Sequence, residues 1–358
     1  MKPSALQVYA GPRARAILRE RGLRPDDVRV IPAAAGGAKG LVLNPLDRFL
    51  FGHWLPQGQG AVHLMGASIG AWRMAAGCLA DPEAALARLA EDYVTQHYEH
   101  EPGRAPKPSL VSAVFGAKLT EHFGGREAEV LEHPRYRLHV FTSHGRHLLA
   151  RQGRWRTPLG YAGAFFGNAV HRRALGGWLE RVVFADAREP FPLPTSDFRS
   201  RLVPLTAANL QPAILASCSI PFWLDAVHDI PGGPRGAYWD GGITDYHLHL
   251  PYAALQDGLV LYPHFQPQIV PGWLDKPWRR RHGASAALDN VVVLTPGAEW
   301  IASLPGGKLP ARQDFKAYGD DHAGRQRAWR RAIAESQRLA DDFAALAQGG
   351  PLDALPLP

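Results

Sequence analysis

The sequence predicts an α/β protein, in which strands alternate with helices around a largely parallel central sheet. Three observations carry this reading. Apolar runs of strand length are separated by segments with helical spacing. Apolar residues make up 46% of the 358 and charged residues 20%, an ordinary globular composition that excludes disorder. The 37 glycines and 31 prolines exclude a coiled coil or a simple helical bundle and predict many loops.

The first apolar run, 28–35 (VRVIPAAA), reads as a strand ending at Gly36-Gly37, with a helix after it broken near Pro45. A second strand is predicted at 61–66, followed by a helix from Ile69. Pro82 suits a helix start, and 83–99 has apolar residues at helical spacing. Residues 135–143 and 181–185 read as strands, and 211–217 as a short helix stopping before Pro221. Segments 237–242, 258–265 and 290–297 are strand-like. The tail, 320–347, reads as one long amphipathic helix with Trp329, Ile333, Ser336, Ala340 and Phe343 on one stripe. Pro/Gly-rich stretches at 101–108 and 231–236 read as surface loops. Together these give one large domain, 25–300, with a helical insertion near 83–133, then a C-terminal helical tail, 301–358.

The net charge of +7 suits an anionic partner such as nucleic acid or a membrane surface. Two cysteines, Cys78 and Cys218, cannot build a disulfide framework or a four-thiolate zinc site. Residues 61–80 are apolar enough to resemble a membrane span, yet they contain His63, Ser68, Arg73 and three glycines. A buried strand, a tight turn and a buried helix explain them better. No secretory signal core is visible at the N-terminus. The expectation is a cytoplasmic protein with reduced thiols and no transmembrane helix, peripheral to membranes at most.

Three elements carry chemistry. Gly66-Ala67-Ser68-Ile69-Gly70 is a G-x-S-x-G between a predicted strand and a predicted helix, the context of a nucleophile elbow. The small residues let strand and helix approach, and the helix N-terminus turns its amides toward the serine. The bland alternative is a glycine-rich turn without chemistry. Gly36, Gly37, Ala38, Lys39 and Gly40 end the preceding strand, and their bare N–H groups could converge on an oxyanion. A structural turn or a phosphate-binding turn is the alternative, although no P-loop motif is present. Asp240-Gly241-Gly242 leaves a carboxylate uncrowded, but on its own Asp-Gly signals a hairpin turn.

Taken together, and in this order, these elements resemble the patatin-like phospholipase family. The segment 213–221 (AILASCSIP) is similar to the A-x-x-A-S-x-x-x-P stretch that these proteins carry before the aspartate. The resemblance runs from about Val28 to Tyr252, and the chain after about Leu261 matches nothing recognised. It implies a three-layer α/β/α fold with a mostly parallel central sheet. It implies a serine acyl hydrolase acting on a lipid ester, with Ser68 as nucleophile and Asp240 as its only side-chain partner. Gly36, Gly37, Ala38, Lys39 and Gly40 would form the oxyanion loop, and Gly66, Gly70, Gly241 and Gly242 are the motif glycines. The family loop usually reads G-G-G-x-R-G; here Ala35 replaces the first glycine and Lys39 the arginine. No metal, organic cofactor or nucleic acid is implied.

Other readings stay open at this stage. A Ser-His-Asp esterase acting on small esters could draw on Ser68, Asp225 or Asp240, and His264 or His322. A catalytically inactive lipid-binding scaffold is a further alternative. His247 and His249 could share a strand face, but no acidic or cysteine partner sits at a metal spacing. The segment 273–282 sets Trp273 and Trp278 beside Arg279, Arg280 and Arg281, which suits contact with anionic lipid, or simply a solvated loop. Arg325, Arg327, Arg330 and Arg331 near Trp329 could face an anionic surface, or solvent while the helix packs inward.

Overall fold

The computed structural model describes residues 4–99, 106–348 and 350–358. The strands are β1 (Leu6–Ala10), β2 (Val28–Ala33), β3 (Val62–Ala67), β4 (Tyr136–Gly145), β5 (Leu179–Ala185), β6 (Ser200–Pro204), β7 (Val227–His228), β8 (Ala237–Asp240), β9 (Leu259–Pro263), β10 (Val291–Pro296) and β11 (Leu355–Pro356). Their order is β11-β1-β10-β9-β2-β3-β4-β5-β6, with β8 on β4 and β7 on β8. The central run from β10 to β4 is parallel throughout. The fold is therefore α/β with a mostly parallel central sheet, as the sequence predicts.

The helices are α1 (Pro12–Arg21), α2 (Asn44–Phe49), α3 (Ile69–Gly77), α4 (Pro82–Thr95), α5 (Pro108–Phe123), α6 (Glu127–Leu131), α7 (Arg156–Val170), α8 (Ala207–Ser217), α9 (Gly242–Asp245), α10 (Ala298–Ser303), α11 (Gln313–Tyr318), α12 (His322–Glu335) and α13 (Gln337–Gln348). The central strands are apolar on both faces because both faces are covered. Leu259, Leu261, Val292 and Leu294 point into one core, which α1 to α6, α8 and α13 also line. Val260, Tyr262, Val291 and Val293 point into the other. On that second side α7 and α9 bring Tyr161, Ala164 and Ile243 against Trp239 of β8. Two covered faces make the three layers.

One register detail places the site. β3 follows β4 as far as Ala67 opposite Phe141. From the next residue β8 takes over that edge of β4, antiparallel, with Asp240 opposite Thr142. The end of β3 and the end of β8 therefore meet, and the residue after Ala67 faces Asp240.

Several expectations are corrected. The helix expected after Gly37 is a 3-10 helix, Gly37–Leu43, and it changes near Pro45 to α2, where the proline occupies the first turn and its missing N–H costs nothing. The tail is two helices, because Ser336 leaves the helix with ψ −3 and turns its Oγ onto Ile333 O at 2.7 Å. The stripe still packs inward, with Trp329, Ser336, Ala340 and Phe343 buried. Arg325 is buried against Phe315 and Trp329. Asp240-Gly241-Gly242 is not a hairpin turn but a strand running into α9. Residues 231–236 instead link β7 and β8. The loop expected at 101–108 lies mostly outside the described residues. Among the described residues no helix is long and apolar enough to cross a membrane.

Candidate active site

Ser68 sits between β3 and α3 with φ 56 and ψ −131, a region that a side chain rarely enters. The two motif glycines make this turn possible. A Cβ on Gly66 would lie 2.4 Å from the Ala71 Cα, and one on Gly70 would lie 2.0 Å from the Ala33 carbonyl oxygen. Strand β2, strand β3 and helix α3 thus meet backbone to backbone.

The Ser68 hydroxyl donates to Asp240 Oδ2 at 2.7 Å. The other oxygen, Asp240 Oδ1, accepts the Gly242 N–H at 2.7 Å, and Ser143 Oγ donates to the Asp240 carbonyl at 2.9 Å. Both Ser68 and Asp240 are buried. Burial pushes the Asp240 carboxyl up to about 6, while hydrogen bonds from Ser68 and Gly242 and the charges of Arg312 and Lys276 pull it down. The buried pair Arg181–Asp245 ties α9 to β5, with Arg181 Nε donating to Asp245 Oδ2 at 2.8 Å. This holds the helix that begins two residues after Asp240.

The loop 36–40 lies alongside. Gly37 takes φ 56 and opens a 3-10 helix, Gly37–Leu43, whose first amides have no partner within the helix. The Ala35 methyl is accommodated because Gly242 lacks one: a Cβ there would lie 2.6 Å from it. Lys39 projects over the Phe265 ring at 5.2 Å, and burial lowers its pKa. Asp47 of α2 accepts two hydrogen bonds from Arg73 of α3, at 2.7 and 2.8 Å, which anchors the elbow helix to the element following the loop. Trp329 of α12 packs behind with Ala38 and Leu41.

Four further residues shape the site. Ser217 Oγ accepts the Ser68 N–H at 2.8 Å and donates to the Phe141 carbonyl at 2.7 Å. It lies in the A-S-x-x-x-P stretch, so a sequence signal existed, but not its role. Cys218 also stands beside Ser68, with its thiol held well above the ordinary range by burial and then by the Asp240 charge. Lys276 lies 4.0 Å over the Tyr246 ring; burial and then the charges of Lys39 and Arg312 lower it to about 8. Lys276 and Arg312 come from the part of the chain without recognised motifs, and no spacing announces them.

The histidines stand elsewhere. Among the described residues none hydrogen-bonds Ser68 or Asp240. His264 is buried with Nδ1 on Gln266, and His322 packs on His97. Asp225 accepts from Gln152. The triad considered from chain order is therefore not assembled. His247 and His249 do not share a strand face, because Leu248 between them has φ 44 in an irregular segment. Among the described residues no cluster of three His, Cys, Asp or Glu side chains could hold a metal. In the Trp–Arg segment, Arg281 is engaged internally by Asp275 and the Asn168 carbonyl, and Trp278 stacks on Phe165. Trp273, Arg279 and Arg280 remain exposed.

A strained serine between strand and helix, bonded to a buried carboxylate across a mostly parallel sheet, suits the α/β acyl hydrolases. A family model described as patatin-like phospholipase matches residues 49–248, more than half of the sequence. The chain belongs to the patatin-like phospholipase family, which supports lipid acyl hydrolysis as its general activity. The matched span contains Ser68 and Asp240 and leaves out the loop 36–40. Solved structures similar to the chain include VipD from Legionella pneumophila, at 12% identity and TM-score 0.36, covering 95% of this chain and 70% of that one. Human GIVD cytosolic phospholipase A2 is similar at 12% identity and TM-score 0.37, covering 96% and 65%. No curated protein matches the chain.

Proposed function

We propose that the chain is a serine acyl hydrolase that removes an ester-linked fatty acid from phospholipid or a related lipid. Ser68 is the nucleophile and Asp240 the base. The observation that carries this reading is the 2.7 Å hydrogen bond from Ser68 Oγ to Asp240 Oδ2, made at a strained elbow with no histidine on either residue among the described residues.

Ser68 Oγ attacks the acyl carbonyl as its proton passes to Asp240. Backbone N–H groups of Gly36, Gly37 and Ala38 hold the oxyanion, with Lys39 and Gly40 completing the turn. The tetrahedral species collapses, the proton moves from Asp240 to the departing alcohol, and the acyl group stays on Ser68. Water then attacks the acyl-enzyme and gives its proton to Asp240. Ser68 leaves with that proton as the fatty acid is released. A carboxyl at about 6 is ionised at neutral pH and is a stronger base than an ordinary aspartate. The scheme calls on no metal or organic cofactor.

In this reading an anionic headgroup would be drawn by Lys276, which lies over the Tyr246 ring, and Arg312, which lies over the exposed Trp223, two cations whose charge reaches Asp240. A membrane surface carrying that lipid is the partner, met through Trp273, Arg279 and Arg280. A cytoplasmic setting fits the two buried free thiols.

A fluorophosphonate probe tests the reading, together with hydrolysis of a panel of lipid esters followed by mass detection. The wild type should be labelled at Ser68 and release fatty acid, and Ser68→Ala should do neither. A folded wild type that is neither labelled nor active would make the chain a lipid-binding scaffold.

A further inference from the structure

Helix α7 is apolar on two opposite faces. Its inner face buries Tyr161 and Ala164 and ends on Asn168, whose Nδ2 donates to Asp275 at 2.9 Å. Its outer face carries Trp155 just before the helix, then Leu159, Ala162, Phe166 and Val170, at steps of four, three, four and four residues, which keeps them on one stripe. This stripe is open: Trp155 is 71% exposed, Leu159 60%, Phe166 68% and Val170 84%. No Asp, Glu, Lys or Arg lies between Arg156 and Arg172. A helix apolar all round is normally buried or crosses a membrane. With 15 residues α7 is about 22 Å long, too short to span.

The two ends of the stripe are cationic. Arg151, Arg154 and Arg156 stand at one end and Arg173 at the other, all exposed. Arg281 donates to the Asn168 carbonyl at 2.9 Å, which brings the exposed Arg279 and Arg280 to that second end. None of these six exposed arginines has a carboxylate partner among the described residues. It is the inner face of the helix that leads toward Ser68 and Asp240. Tyr161 contacts Phe222 and Trp239, with ring centroids 6.0 and 5.7 Å apart, and Trp239 immediately precedes Asp240. Phe222 and Trp223 are themselves exposed.

We infer that the outer face of α7 is the surface with which the chain beds into an anionic lipid bilayer, lying flat with Trp155, Leu159, Phe166 and Val170 among the acyl chains. Apolar side chains between cationic ends match a layer whose interior is hydrocarbon and whose headgroups are negative. A second copy of the chain matches poorly, because pairing two such helices in either direction sets arginines against arginines. The inference rests on the lipid reading of the site only for what the bilayer supplies to it.

The test uses the Ser68→Ala protein, so that vesicles stay intact. It should co-sediment with vesicles of phosphatidylcholine and phosphatidylserine more than with phosphatidylcholine alone. Added salt should weaken binding as exposed attraction becomes screened. Adding Phe166→Glu and Val170→Glu should weaken binding at least about tenfold with the melting temperature unchanged, since both side chains face outward. Brominated acyl chains should quench a fluorescence signal that Trp155→Phe removes, which reads insertion without a charge in the helix. Binding that survives both glutamates, or a Trp155 signal untouched by brominated lipid, overturns the inference. So does a dimer that the glutamates dissociate while vesicle binding is unchanged. Vesicle binding needs no turnover, so its failure and an unlabelled Ser68 are separate results.

Discussion

Ser217 Oγ accepts the backbone N–H of Ser68 at 2.8 Å while donating to the Phe141 carbonyl at 2.7 Å, a two-way brace between the end of α8, the elbow and β4. The same residue's carbonyl accepts the Gly241 N–H at 3.1 Å. One serine therefore touches the strands and turns that bring Ser68 and Asp240 together. Ser217→Ala leaves a buried N–H and a buried carbonyl without partners. It should cost about 1–3 kcal/mol in urea unfolding. It should also lower kcat about tenfold with KM little changed, because the serine is mispositioned rather than substrate binding lost. An unchanged kcat in the folded variant would reduce the brace to a structural role.

Asp240 sets the pH dependence. Its carboxyl is raised to about 6, and only the ionised form accepts the Ser68 proton. Hydrolysis should therefore fall as pH drops through about 6, where an ordinary aspartate would hold activity to about 4. The stability linkage has the opposite sign. Between its ordinary value and about 6 the folded state binds this proton more tightly than the unfolded chain, so stability is lost as pH rises through that window. Asp240→Asn removes the buried charge, so it should exceed wild type in stability by about 1–3 kcal/mol near pH 8, with the gap closing toward pH 4. Parallel unfolding curves at the two pH values check this.

Backbone strain at Ser68 gives a separate expectation. At φ 56 and ψ −131 a Cβ is crowded, and glycine alone is unstrained there. Ser68→Gly and Ser68→Ala should both be inactive, yet the glycine variant should be the more stable by about 1 kcal/mol, even after its greater freedom in the unfolded chain. Equal stabilities would mean that the elbow relaxes once the hydroxyl is gone.

The sequence was most legible where function depends on local geometry. Gly66, Ser68 and Gly70 are spaced by the contacts of a single turn, and Asp240 is flagged by its two glycines. The parallel sheet is legible because strand-length apolar runs alternate with segments of helical spacing. Relationships across the chain were not. Nothing near Ser217 says that its hydroxyl reaches an amide 149 positions away. Lys276 and Arg312 arrive at Asp240 from segments without periodicity. Strand β1 is not legible because it is a five-residue strand that joins the far side of the sheet, antiparallel to β10. The break at Ser336 was hidden because one residue can leave a helix while the apolar stripe resumes in phase. The alternation of His247 and His249 looked like a strand, but Leu248 bends the backbone between them.

The central claim is that the carboxylate of Asp240, and not a histidine, accepts the Ser68 proton. The most direct measurement is the rate of lipid ester hydrolysis by Asp240→Asn beside His247→Ala, His249→Ala, His264→Ala and His322→Ala, each checked for folding by circular dichroism. The amide keeps the shape of the side chain but cannot take a proton, so Asp240→Asn should fall about 10²–10⁴-fold. The histidine variants should stay near wild type, with at most a modest loss at His247, which is buried close to α9. A folded histidine variant that falls as far as Asp240→Asn, or an Asp240→Asn that keeps its rate, would contradict the dyad.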